Sequence, residues 1–139
     1  MRDPWGVSPW HRWGPALAVV VVAVVVLVFV QARDPVREQW EDRVTLPSCG
    51  SVVLSQGEVL ESDAMAELAC LRRGLESGSG AELKVQYPTV EGDPIRAYYR
   101  VTPAGTTELY EDSTEDAWGS REWSFSECDA PASILESSC

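Results

Sequence analysis

Histidine is nearly absent from this chain: His11 is the only one, and everything that follows it lacks an imidazole. The usual general base and the commonest metal ligand are therefore missing from the body of the protein. No G-x-S-x-G, H-E-x-x-H or S-x-x-K string supplies a nucleophile with its base or a zinc helix, so the only catalytic arrangement left open is a carboxylate pair. We read no enzyme in the sequence. Lysine is scarce too, with Lys84 the only one, and after residue 32 nine Arg or Lys face twenty-one Asp or Glu, a formal charge of −12. Nucleic acid and anionic lipid headgroups are excluded as partners on that count. The cysteines lack any C-x-x-C spacing: Cys49, Cys70, Cys128 and Cys139 are scattered, which argues against zinc. An even number of them in a small domain points instead to disulfides and an oxidising compartment. There are no internal repeats.

What the sequence does have is a long apolar run. Residues 16–30 carry no polar side chain, and with their flanks the span over residues 14–32 has nineteen residues. At 1.5 Å per residue a helix of that length is about 28 Å long, close to the hydrocarbon thickness of a bilayer. Valine dominates it, yet a lone segment in lipid can satisfy its backbone only as a helix. Trp5, Trp10 and Trp13 stand just ahead of it, where amphipathic rings favour the headgroup layer. The expectation is a single-pass anchor in the plasma membrane; the alternative is a signal peptide cut after Ala32. Charge decides the orientation poorly, since Arg2 and Arg12 oppose Arg33, Arg37 and Arg43. The cysteines, all beyond the span, place the leader of residues 1–13 in the cytoplasm and the rest outside. The partners implied are the membrane, through residues 14–32, and an envelope or surface protein.

Beyond the anchor, residues 33–45 are charged around one aromatic and read as a juxtamembrane stalk. A domain over residues 46–128 follows, and then a tail, residues 129–139, poor in packing residues. Residues 51–55 are a short β-rich run, after which Met65, Leu68, Leu71 and Leu75 recur at helical spacing. Ser62 or Asp63 is expected to cap that helix, Arg72 and Arg73 to complement its dipole, and Gly74, Gly78 and Gly80 to end it. Residues 81–87 alternate, with Leu83, Val85 and Tyr87 on one face, and Ile95, Ala97, Tyr99 and Val101 repeat the pattern. Pro103, Ala104 and Gly105 compose a three-residue hairpin loop, which pairs residues whose numbers sum to 208. That register sets Tyr99 against Leu109 on the inner face, and Arg100 against Glu108, Tyr98 against Tyr110 and Arg96 against Asp112 on the outer one. A last strand, residues 121–126, points Trp123 and Phe125 one way. The expected fold class is α+β: an N-terminal transmembrane helix, then one helix packed on a meander of four or five antiparallel strands, stabilised by disulfides. A strand start lies near the end of a helix that runs back across it, so Cys49–Cys70 is the favoured pair and Cys128–Cys139 follows by elimination. Cys70–Cys128 remains the alternative.

The strings Thr89-Val90-Glu91-Gly92-Asp93-Pro94-Ile95 and Tyr110-Glu111-Asp112-Ser113-Thr114-Glu115-Asp116-Ala117-Trp118-Gly119, followed by Cys128, resemble an uncharacterised domain family of bacterial lipoproteins and anchored extracytoplasmic proteins. Its pattern is T-x-E-G-D-P-I, then D-x-[ST]-x-D-x-aromatic-G, then a cysteine, and the likeness covers roughly residues 50–128. It implies a small secreted α+β domain and carries no activity. This chain departs from the lipoprotein members in its apolar anchor and extra cysteines, so lipid attachment is not implied.

Two binding expectations follow from the residues. Glu91 and Asp93 on one strand connection, beside Asp112 and Asp116, could form a carboxylate cluster that holds a cation such as Ca²⁺. Asp112, Thr114 and Asp116 resemble the opening of a calcium loop, although the sixth position is Ala117 rather than Gly and the twelfth is Trp123 rather than Glu. The plainer reading of the same residues is a rigid corner with Asx-turns and caps. Alternatively, the hairpin's acidic and aromatic face, with Tyr98 and Tyr110, contacts a protein partner. Trp118 and Trp123 could join Tyr98 and Tyr110 in a binding patch, but in a domain this small the two tryptophans are expected in or near the core.

Overall fold

The computed structural model describes residues 34–128 together with Val19, Val21 and Val22. The chain divides into two compact units, Met1–Asp34 and Pro35–Cys139. In the first, the three valines are helical and exposed. The remainder of the span expected over residues 14–32, its leader and the cleavage point at Ala32 lie outside the described residues, as does the tail of residues 129–139. Among the described residues no helix is long and apolar enough to cross a membrane.

The second unit runs α1 (Pro35–Glu41), β1 (Ser48–Val53), α2 (Leu60–Asp63), α3 (Met65–Ser77), β2 (Ala81–Pro88), β3 (Pro94–Val101), β4 (Thr107–Asp112) and β5 (Trp123–Cys128). The strands form one five-stranded sheet in sequence order. Strands β2 to β5 follow one another across the sheet and pair antiparallel, as expected. The expected wholly antiparallel meander is corrected at β1, which lies parallel to β2. Helix α3 stands between these two strands and carries the chain back to the end of the sheet where β1 began. β2 must then set off in the same direction.

The β3–β4 register is the one expected: Arg96 faces Asp112, Tyr98 faces Tyr110, Tyr99 faces Leu109 and Arg100 faces Glu108. A Pro-Ala-Gly loop with Gly105 at φ 88° closes it, and the Thr102 and Thr106 hydroxyls lie 2.8 Å apart at its base. One face of the sheet presents Leu83, Val85, Ala97 and Val101 to Leu68 and Leu71 of α3 and Leu60 of α2, and these make up most of the buried core. Each of the leucines and valines taken from water contributes about 1.5–3 kcal/mol.

Two helix expectations change. Gly74 does not end α3 but lies inside it, because a Cβ there would sit 2.5 Å from the Cβ of Ala81. It lets the helix approach β2. The left-handed Gly78, at φ 66°, is the terminator. Asp63 does not cap α3 either: its carboxylate reaches back to accept the Val59 N–H at 2.9 Å and the Ser62 hydroxyl at 2.8 Å, closing the turn of α2. Those two bonds, the backbone one first, hold its carboxyl below the usual aspartate value. Arg72 and Arg73 fall one turn before the end of α3, which has no basic residue in its last turn.

Cys49 on β1 and Cys70 on α3 form a disulfide with Cα atoms 5.6 Å apart. It fastens the edge strand to the helix and rules out the Cys70–Cys128 alternative. The pairing of Cys128 with Cys139 involves a residue outside the described ones.

The segment expected to be a stalk is, from Pro35 on, part of the folded unit. Trp40 of α1 lies over the second face of the sheet, its ring 4.2 Å from Tyr98, 5.2 Å from Tyr110 and 6.3 Å from Trp123. Arg43 stacks on the Trp40 ring and donates to the Trp40 carbonyl at 2.9 Å and to Glu82 at 3.1 Å. Arg100, 5% exposed, donates to Glu108 and, at 2.7 Å, to the Val44 carbonyl. Its Nε faces Glu82 at 3.5 Å, at ion-pair distance but outside hydrogen-bond geometry. Residues 35–46 thus form a strap that closes this face with one aromatic anchor and two arginine clasps. The sheet is covered on both sides.

Candidate functional site

Strand directions sort the loops to the two ends of the sheet. One end gathers the chain after β1 with the starts of α2 and α3, the β2–β3 connection and the β4–β5 loop. The other holds the β3–β4 hairpin and the close of α3. All but one of the exposed large apolar side chains in residues 34–128 sit at the first end: Val53, Val59, Met65, Val90 at 85% exposure and Trp118 at 81%. Val44 is the exception. Most carboxylates singled out in the sequence are there too.

Those carboxylates act on the loops themselves. In the β2–β3 connection the Thr89 hydroxyl accepts the Asp93 N–H at 3.0 Å, and the Gly92 N–H bonds the Thr89 carbonyl at 3.0 Å. Gly92 adopts φ 96°, a turn most side chains would strain. Asp93 then accepts the Ala117 N–H at 2.9 Å, tying this connection to the β4–β5 loop. Asp116 accepts the N–H groups of Trp118 at 2.9 Å and Gly119 at 3.0 Å, and a Cβ on Gly119 would strike its carboxylate. Asp112 accepts the Thr114 N–H at 3.0 Å and its hydroxyl at 2.6 Å, while its other oxygen faces Arg96 at 3.5 Å. Arg96 also donates to Glu115 at 2.7 Å, which holds the guanidinium more firmly charged than usual. Ser113 closes the loop base on the Glu122 carbonyl at 2.8 Å. Gln56 reaches the Val90 carbonyl at 3.4 Å, joining a third loop to the set.

The structure therefore does not gather Glu91, Asp93, Asp112 and Asp116 into a cation cage. Three of them are occupied with backbone N–H groups of separate turns, and Glu91 is exposed. Among the described residues no three His, Cys, Asp or Glu side chains are grouped to hold a metal ion. The corner-and-turn reading of these residues matches the geometry.

Tyr98 and Tyr110 are not the contact residues expected. Tyr110 is 2% exposed, and Tyr98 is half-buried, its ring tilted against Trp40 at 4.2 Å and stacked on Trp123 at 5.7 Å. Burial raises the pKa of both hydroxyls, helped by Asp112 at Tyr98 and by Glu108 at Tyr110. Trp123 is half-buried as expected, whereas Trp118 is not core at all. Of the two expectations for Trp118, patch member or core, the core one is corrected, and a signal against it is present in the sequence. Trp118 follows an aspartate by two and precedes a glycine, the composition of an Asx-turn, and it interrupts no alternating strand. A groove of about 590 Å³ between the strap and the hairpin is also lined by Arg43 and Arg100, but Glu82, Glu108 and backbone carbonyls already engage both.

Comparison with protein-family models, curated proteins and solved structures finds no match to this chain.

Proposed function

We propose that this protein is a single-pass, membrane-anchored extracytoplasmic interaction module that contacts a protein partner through the loop end of its sheet. The observation that carries the reading is Trp118: an indole 81% exposed, on a loop whose backbone Asp93 and Asp116 fasten. A large aromatic held in place this way gives up little entropy on binding, and tryptophan is the residue most enriched among energetic anchors of interfaces. Val53, Val59, Met65 and Val90 are exposed at the same end of the sheet. The apolar run of residues 16–30 supports the anchor, and the Cys49–Cys70 disulfide supports an oxidising compartment. An acidic charge keeps the module off anionic headgroups.

Native electrophoresis of mildly extracted membranes tests this. The chain is expected in a complex heavier than itself, and Trp118→Ala is expected to release it while Arg72→Ala, on the exposed side of α3, leaves it bound. Release by both variants or by neither contradicts the reading.

A further inference from the structure

We infer that the loop end receives a basic polypeptide segment, one with Lys or Arg flanking an aliphatic or aromatic side chain that packs on Trp118. The inference rests on the reading just given, that this end is the contact surface, and adds the chemistry of what lands there. The stretches 54–65, 88–96 and 112–123 hold nine carboxylates and two guanidiniums, those of Arg96 and Arg121. Arg96 pairs with Asp112 and Glu115 and offsets part of their charge, which leaves the end strongly acidic on balance. Asp63, Asp93, Asp112 and Asp116 accept backbone N–H groups, and Glu61, Glu91 and Glu122 at the same end of the sheet are exposed. The result is an exposed tryptophan at an end of the sheet where carboxylates outnumber guanidiniums by nine to two.

Charge complementarity then selects the occupant. A second copy would bring nine carboxylates against nine, and nucleic acid or an anionic bilayer would be repelled in the same way. A purely apolar segment would gain from Trp118 and Val90 but nothing from the rim. A basic segment gains from both, and its association is steered by a field that salt screens over about 8–10 Å.

The probe is a random twelve-residue peptide library panned over the full-length chain in detergent micelles, with the Trp118→Ala protein panned in parallel. Trp118 is exposed, so its removal leaves the core untouched, and matching thermal melts confirm that both proteins are folded. Peptides held by the native chain and lost by Trp118→Ala are expected to carry net positive charge around an aromatic or aliphatic residue. Their affinity is expected to fall roughly tenfold in the triple variant Glu61→Gln, Glu91→Gln, Glu122→Gln, and by a similar factor between 50 and 300 mM salt. Trp118-dependent peptides that are neutral or acidic, or that bind the triple variant equally well, would overturn the charge inference and leave the loop end as the contact surface. Peptides held equally by both proteins, or no retained peptides, would overturn the surface itself and this inference with it.

Discussion

Replacing Trp40 with alanine separates a strap from a stalk. In the structure the Trp40 ring covers Tyr98, Tyr110 and Trp123 and seats the Arg43 guanidinium. A mostly buried aromatic removes on the order of 120–150 Å² from water, which at about 25 cal/mol per Å² is roughly 3–4 kcal/mol. Extended-chain references overstate burial, and the exposed rings of the sheet would partly relax into the gap, so the expected loss is about 3 kcal/mol. For a folded unit near a hundred residues, that lowers the melting temperature by roughly 12–20 °C. Trp40→Phe keeps a ring on the tyrosines but loses area and should cost about half as much. The assay is thermal unfolding of the full chain in detergent, followed by near-ultraviolet circular dichroism, which reports the stacked rings directly. A stalk tryptophan in solvent would change stability by no more than about 0.5 kcal/mol. A Trp40→Ala melt within that range, with an unchanged aromatic signal, refutes the strap.

Reducing the Cys49–Cys70 bridge, or replacing both cysteines with serine, is expected to cost about 3 kcal/mol in the chain-entropy model for a loop of this length, seen as a lower melting temperature under reductant. Gly74→Ala should destabilise by about 1–3 kcal/mol despite alanine's better helix propensity, because the new methyl meets Ala81 at 2.5 Å; Ala81→Gly in the same chain should recover part of the loss in a denaturant titration. Asp63 has a folded-state pKa below its usual 3.8, so its contribution is present above that value and fades as pH falls through the folded pKa. Acid titrations of wild type and Asp63→Asn should therefore differ at neutral pH and converge toward the acid end; curves that separate further on acidification would reverse the sign.

The hairpin was legible because two signals agree. Loop chemistry at Pro103 to Gly105 sets one register, and the alternation of Arg96, Tyr98 and Arg100 against Glu108, Tyr110 and Asp112 supports the same one. The Cys49–Cys70 pair was legible for a related reason, since a strand followed by a returning helix leaves few other partners. Alternation says nothing about strand direction, however. The parallel β1 depends on the path of α3, which hydropathy does not report. Trp40 escaped because its partners Tyr98, Tyr110 and Trp123 lie some sixty to eighty residues away in sequence. In a charged stretch, a lone aromatic looks like linker until the face it covers is known.

At the loop end the turn role of the aspartates was legible as the plainer of two readings, and the exposure of Trp118 was not. Asp93, Asp112 and Asp116 have the composition of a cation site and the geometry of turn clasps, and only the backbone N–H groups of Thr114, Ala117, Trp118 and Gly119 tell the two apart. Size alone favours the core for Trp118, because a large apolar residue in a small domain normally finds cover. Here Asp116 turns the chain so that its indole stays outside. A local backbone bond outweighs the average tendency of the side chain.

The most direct test of the interaction surface is photo-crosslinking in native membranes, with a photoreactive side chain placed at position 118 and, separately, at position 72 on α3. The account predicts a discrete crosslinked partner from position 118 and none from position 72. A partner captured equally from both positions, or from position 72 alone, would contradict it.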